Sequence, residues 1–216
     1  MAISANTTRS LLVRTKLMRT AEKLYAEYGL ASVSDRRIGV AAGQRNKSAV
    51  QYHFANREKL VKEIVTRHLL SIEERRMAMV VALGPAGGTS LNERTTCLIM
   101  PTIEHQIELG TPSWYARFLA QVFVEPALRE FTMQAHLNTP SMRVLNERGR
   151  RECRPDELDV IARRSVMLRQ LAVHMCAELE YDVATGRVEA SEAEAAWRRL
   201  GEDLIATVCG YSASAL

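Results

Sequence analysis

Gln44, Arg45, Asn46, Lys47, Ser48 and Gln51 stand close together in AAGQRNKSAVQYHF, residues 41–54. Their amides, guanidinium, ammonium and hydroxyl are groups that bind the outside of nucleic acids. Gln and Asn can pair with an adenine edge, and Arg and Lys with guanine or a phosphate. The run opens on the small corner Ala41-Ala42-Gly43 and closes on Tyr52-His53-Phe54. Two interpretations fit these residue types alone, a DNA-reading helix and a solvated polar face.

Other chemistries lack their residues. There is no glycine-rich phosphate loop, no Gly-x-Ser-x-Gly elbow and no His-Glu-x-x-His. The five histidines (His53, His68, His105, His136, His174) and four cysteines (Cys97, Cys153, Cys176, Cys209) do not fall at metal-ligand spacing. No catalytic residue, metal or cofactor is expected, and the cysteines are expected to be reduced thiols. A redox pair of Cys97 and Cys176 meeting across a core stands as a minor alternative.

With 47% hydrophobic residues over 216 positions, the chain can bury one large core or two smaller ones. No apolar run is long enough to span a bilayer and no leader pattern opens the chain, so a cytoplasmic protein with no membrane partner is expected. Charge is unevenly spread. Residues 1–65 carry 12 Lys and Arg against 5 Asp and Glu, the remainder 17 against 20. A basic head on a mildly acidic body is the asymmetry expected where one end meets a polyanion.

The elements that would position these groups all read as helices. Leu17, Ala21, Leu24 and Tyr28 make one stripe over residues 11–28, stopped by Gly29. Ser34 caps a short helix, Asp35–Ala42, ended by Gly43; a third spans Asn46–His53; Asn56 caps a fourth, from 57 to 83. Ser90 and Glu93 form a capping box for a helix to Leu109. Thr111 and Pro112 restart the chain, and Pro126 is expected to kink or split the helix Ser113–Leu137. A short helix from Thr139–Ser141 to Cys153, a long one from Pro155 to Gly186, and a last one opened by the box Ser191/Glu194 and running to Cys209 complete an all-α chain.

Helices two and three, joined at a tight glycine corner, make a helix-turn-helix. In that unit the second helix presents its N-terminal residues to the major groove. Ile38, Ala49, Val50 and Phe54 supply the buried side, and Arg45, Asn46, Lys47, Ser48 and Gln51 are left outside. Arg14, Lys16, Arg19, Lys59 and Lys62 are expected to solvate their helices or touch phosphate without reading sequence.

Residues 8–62 resemble the DNA-binding head of the TetR family of transcriptional repressors. AEKLYAEYGLASVS has the character of the end of its first helix. VSDRRIGVAAG follows its Val-Thr-x-x-x-Ile-Ala-x-x-Ala-Gly, with Ser34 and Gly39 in the threonine and alanine places, and YHFANREKL its closing aromatic-His-Phe and helix start. One residue more than usual lies between Gly43 and Phe54, read as a lengthened turn, and Gln51 stands where the family has tyrosine. The resemblance implies a head, residues 1–56, and a helical body, residues 57–216. It implies phosphate contacts by Ser34 and Arg57 and a groove face of Asn46, Lys47, Gln51, Tyr52 and His53. It also implies a homodimer built from the last two long helices, double-stranded operator DNA as partner, and a small-molecule effector that releases a repressor.

For the effector, Met100, His105, Trp114, Tyr115, Phe118, Met167 and His174 suit an apolar ligand with a few polar anchors, although ordinary core packing explains the same residues. Arg117, Arg169 and Gln170 could orient an acidic ligand or simply make salt bridges. The apolar stripes Leu158, Ile161, Ala162, Leu168, Leu171, Ala172, Met175, Leu179 and Ala193, Ala196, Trp197, Leu200, Leu204, Val208 could serve the dimer or the chain's own core. The alternative function is a helical small-molecule binder or enzyme with a vestigial DNA-binding head.

Overall fold

The computed structural model describes residues 2–46, 48–85, 87, 90–152 and 158–213. Among them ten α-helices follow one another and no strand occurs: α1 (Ala2–Tyr28), α2 (Asp35–Ala41), α3 (Ala49–Phe54), α4 (Arg57–Ala82), α5 (Leu91–Leu109), α6 (Tyr115–Val124), α7 (Pro126–Leu137), α8 (Pro140–Glu152), α9 (Leu158–Ala184) and α10 (Ala193–Ala213). The all-α reading holds.

Several boundaries differ from the sequence reading. Helix α1 starts at Ala2 instead of near Leu11, since no glycine or proline interrupts residues 2–10. Its stripe also rotates. Tyr25 joins Leu17, Ala21 and Leu24 in the core, while Tyr28 is exposed beneath the Arg37 guanidinium, 3.9 Å from its ring centre. At Pro126 the expected break takes the form of a split: α6 ends at Val124 and the proline takes the first position of α7, where its missing N–H costs nothing. Thr111 caps no helix, because α6 begins only at Tyr115. Ser191 sits inside a 3-10 turn, Ala190–Glu192, so that box does not form. The box Ser90/Glu93 does form, and Pro101 is tolerated inside α5. Pro155 and Cys153 lie outside the described residues.

The main core joins the first four helices to α6. Leu17, Ala21, Tyr25, Ile38, Val50, Phe54, Leu60 and Ile64 from the first four helices pack with Tyr115, Phe118 and Val122 of α6. Helix α6 in turn lies against α9 and α7. Glu180 of α9, almost fully buried, fixes it there. Its carboxylate accepts from the backbone N–H of Ala116 (3.1 Å) and Arg117 (3.0 Å) at the start of α6, and from Arg117 Nε (3.0 Å). A carboxylate at a helix N-terminus satisfies orphan N–H groups and meets the favourable end of the dipole.

The last two helices behave differently from each other. Helix α10 buries Ala193, Trp197, Leu204 and Val208 against its own chain, chiefly on α5. Gly201 makes that approach possible: a Cβ there would lie 3.0 Å from Met100 Sδ and 3.1 Å from Ile103 Cγ1. Helix α9 leaves Ala162, Val166, Met167 and Met175 exposed and only half-buries Leu168, Leu171, Ala172 and Leu179. The side chains of Leu158 and Ile161 lie outside the described residues. Cys97 and Cys176 are unpaired and sit in separate buried clusters, which removes the Cys97–Cys176 pair.

Candidate nucleic-acid interface

Helices α2 and α3 expose one polar surface over a buried floor. Ser34 accepts from the Arg37 N–H at 3.2 Å, and this cap starts α2. Gly43, at φ +69°, occupies a left-handed conformation that suits glycine and turns the chain out of α2. The lengthened turn is then closed locally. Gln44 N–H reaches Gly39 carbonyl at 2.9 Å, and Asn46 Oδ1 accepts from Ser48 N–H at 2.9 Å. Helix α3 follows with Ala49, Val50 and Phe54 inward.

Outside stand the residues named from sequence. Ser34, Arg45, Asn46, Ser48, Gln51 and Tyr52 are exposed, Tyr52 to 79%. Lys47 lies outside the described residues. His53 is half-buried and edge-on to Tyr52, with ring centres 4.9 Å apart. Burial, and then the nearby Arg14 charge, hold its pKa below the ordinary 6.5, so at neutral pH it can offer a hydrogen bond but little charge. Arg57 is half-buried at the start of α4, its guanidinium 5.6 Å from the Tyr25 ring centre. Burial pushes the Tyr25 phenol up to about 12.

Arg14 corrects an expectation. Instead of solvating α1, it donates to the His53 carbonyl and to Glu63, with its guanidinium 4.5 Å from the Phe54 ring centre. It ties α1, α3 and α4 together. Just past α3, Ala55 has φ 65° and ψ −43°, and Asn56 N–H bonds to the Phe54 carbonyl at 2.8 Å. This is the γ-turn of the rarer hand, strained for a residue with a Cβ. It sets the exit of the polar helix against the start of α4, where Asn56 Oδ1 caps Lys59 N–H at 2.9 Å.

Of the residues named for an effector, five are in the body's interior or its edge. His105, Tyr115 and Phe118 are buried, and Met100 and Trp114 half-buried. His105 and Tyr115 meet: their ring centres lie 5.6 Å apart, and His68 stacks on Tyr115 at 3.9 Å. Trp114 lines a cavity of about 290 Å³ with Arg19, Glu22, Arg67, His68 and Ser113, between α1 and α4. Met167 and His174 are exposed on α9 and do not join this group. Arg117 is bound to Glu180. Arg169 has its guanidinium 6.0 Å from the Phe123 ring centre.

Two solved structures share this fold. A protein from Rhodococcus sp., assigned to the TetR family of transcriptional regulators, aligns with 89% of the chain and 98% of its own, at 14% identity and a TM-score of 0.51. Another so assigned, from Mesorhizobium loti MAFF303099, aligns with 92% of the chain and 98% of its own, at 15% identity and a TM-score of 0.51. The chain has the TetR-regulator fold. No protein-family model matches the sequence, and no curated protein does.

Within the TetR fold, two polar residues that sequence reasoning passed over, His68 and Arg76, sit on α4. Its buried face reads Val61, Ile64, Val65, His68, Ile72, Arg76 and Val80. His68 and Arg76 fall in phase with the apolar stripe, a signal present in the sequence. Arg76 is fully buried.

Proposed function

We propose that the chain is a TetR-family transcriptional regulator acting as a homodimer, with residues 1–56 as the DNA-binding head and 57–216 as the body. The observation that carries this reading is the row of exposed donors and acceptors at Arg45, Asn46, Ser48, Gln51 and Tyr52, held by Ala49, Val50 and Phe54 on a buried floor. Such a row can enter a major groove, with Ser34 and Arg57 meeting phosphates on either side. Lys47 belongs to the same surface by sequence.

The exposed apolar side chains of α9, Val166, Met167 and Met175, together with Tyr211 of α10, support dimerisation through the last two helices. Met167 and Tyr211 already adjoin, with the phenol oxygen 3.7 Å from the sulfur. Two-fold symmetry then asks for a near-palindromic operator with half-sites about 34–36 Å apart.

The continuous core supports repression with release by a small molecule. Ligand binding beside His105, Tyr115 and Phe118 acts on α4 and α6, which share a core with the head. DNA and effector must weaken each other's binding by one factor. Among the described residues no helix is long and apolar enough to cross a membrane.

The test is a pair of substitutions measured against duplexes of varied sequence. Gln51→Ala should narrow the spread of affinities between duplexes. Arg57→Ala should weaken all of them alike and lower the salt slope by about one. Identical effects from both would refute the assignment of roles.

A further inference from the structure

Arg76 is a buried cation whose hydrogen-bonding capacity is largely unmet. The side chain is fully inaccessible, yet Nε and Nη2 find no hydrogen-bond partner among the described residues. Its one ionic contact among the described residues is Nη1 to Glu73 Oε2 at 3.3 Å, one turn away on the same helix. Glu73 is itself committed to α8, accepting from Ser141 N–H at 2.8 Å and from Ser141 Oγ at 2.5 Å. A guanidinium with two empty donor nitrogens in a low-dielectric interior is costly, and a planar anion that takes both is what would relieve the cost.

The surroundings indicate what else that anion must carry. One turn along α4 begins an apolar layer of Val80, Cys97, Met142 and Leu145, edged by Met79 and Leu83. Met79 and Met142 have side chains flexible enough to repack around a guest without the layer unfolding. His136, its pKa pushed down to about 4 by burial and then by Arg76, stays neutral at pH 7 and adds no competing charge.

We infer that Arg76 is the anchor for the carboxylate of an acid with an apolar body, seated between α4, α5 and α8. This deepens the effector reading given above and rests on it. The carboxylate would accept from Nε and Nη2 while the apolar part lies along Val80, Met142 and Leu145. Arg76 is on the helix that begins at the head, so the ligand would pull on α4 directly and compete with the Glu73 link to α8.

The experiment compares acids with their neutral counterparts on the full chain: octanoate with octanol, and benzoate with benzyl alcohol. Affinity is read by calorimetry, and operator affinity is measured in parallel. At least one acid should bind about tenfold or more tightly than its alcohol, since the carboxylate brings a full negative charge and accepts from both nitrogens at once, where the alcohol offers one neutral oxygen. Arg76→Met should remove that preference, and Arg76→Lys, which keeps the charge but not the paired donors, should weaken it; an unchanged preference in either folded variant overturns the anchor.

Alcohols that bind as well as the acids and release operator would overturn the anion anchor and leave the effector reading standing. An acid that binds through Arg76 without changing operator affinity would leave the anchor standing and remove the regulatory reading. Failure of both acids to outbind their alcohols overturns the inference.

Discussion

Nδ1 of His68 lies 2.8 Å from Nε2 of His105, and both rings are buried. The other nitrogen of His68 is 3.0 Å from the Glu22 carboxylate. A carboxylate accepts, so Nε2 of His68 carries a proton; with both rings neutral, Nδ1 of His68 accepts and His105 donates from Nε2. That leaves Nδ1 of His105 as a bare lone pair with no hydrogen-bond partner among the described residues, the Glu108 carboxylate standing 3.9 Å away. The chain of bonds runs from α5 through α4 to α1, from body to head.

This polarity gives a pH dependence. Burial, then the neighbouring His68, push the His105 pKa down to about 4 from the ordinary 6.5. Between those values the unfolded chain binds a proton that the folded one refuses. Stability should therefore be intact for this group above pH 6.5 and fall as pH drops towards 4, by about 3 kcal/mol over the span. His136, also near 4, acts in the same direction. Urea midpoints at several pH values should show the slope, and His105→Asn should reduce it without abolishing it.

Glu180 should be one of the most sensitive positions in the body. Glu180→Ala removes the cap of α6 and strands Arg117, and a loss of about 3 kcal/mol in urea unfolding is expected. Glu180→Gln can keep part of the capping and should cost less. Equal losses would show that the charge of Glu180, and not the shape and acceptor that glutamine keeps, holds the start of α6.

Ala55 is expected to be improvable. Glycine tolerates its φ of 65° without a Cβ penalty, so Ala55→Gly should raise stability by about 1 kcal/mol despite glycine's greater freedom when unfolded. Thermal unfolding of the two proteins side by side checks this.

Gly201→Val should do the reverse. Its side chain would press on Met100 and Ile103, where even a Cβ is tight, and separate α10 from α5. A cost of about 1–3 kcal/mol is expected from thermal unfolding. A neutral outcome would mean that the α5–α10 contact is looser than its geometry.

The head was open to reading because its signals are local. Ser34 and Asn56 cap the helices they were expected to cap, and the exposed positions around Gln51 follow from the spacing of Ala49, Val50 and Phe54. Arg14 was misjudged because its partners, His53 and Glu63, are distant in sequence. The same holds for Glu180, whose capped residues Ala116 and Arg117 lie on another helix. Spacing alone also could not separate the two apolar stripes: that of α10 turns to its own chain, while that of α9 stays partly exposed.

Selection of duplexes from a random pool by the full-length protein tests the central claim most directly. The expected result is an enriched site of two-fold symmetry, with half-sites about 10–10.5 base pairs apart or a multiple of that. Gln51→Ala should relax the sequence at matching places in both halves. A pool that returns no shared sequence, or a single half-site without a mate, would contradict the account.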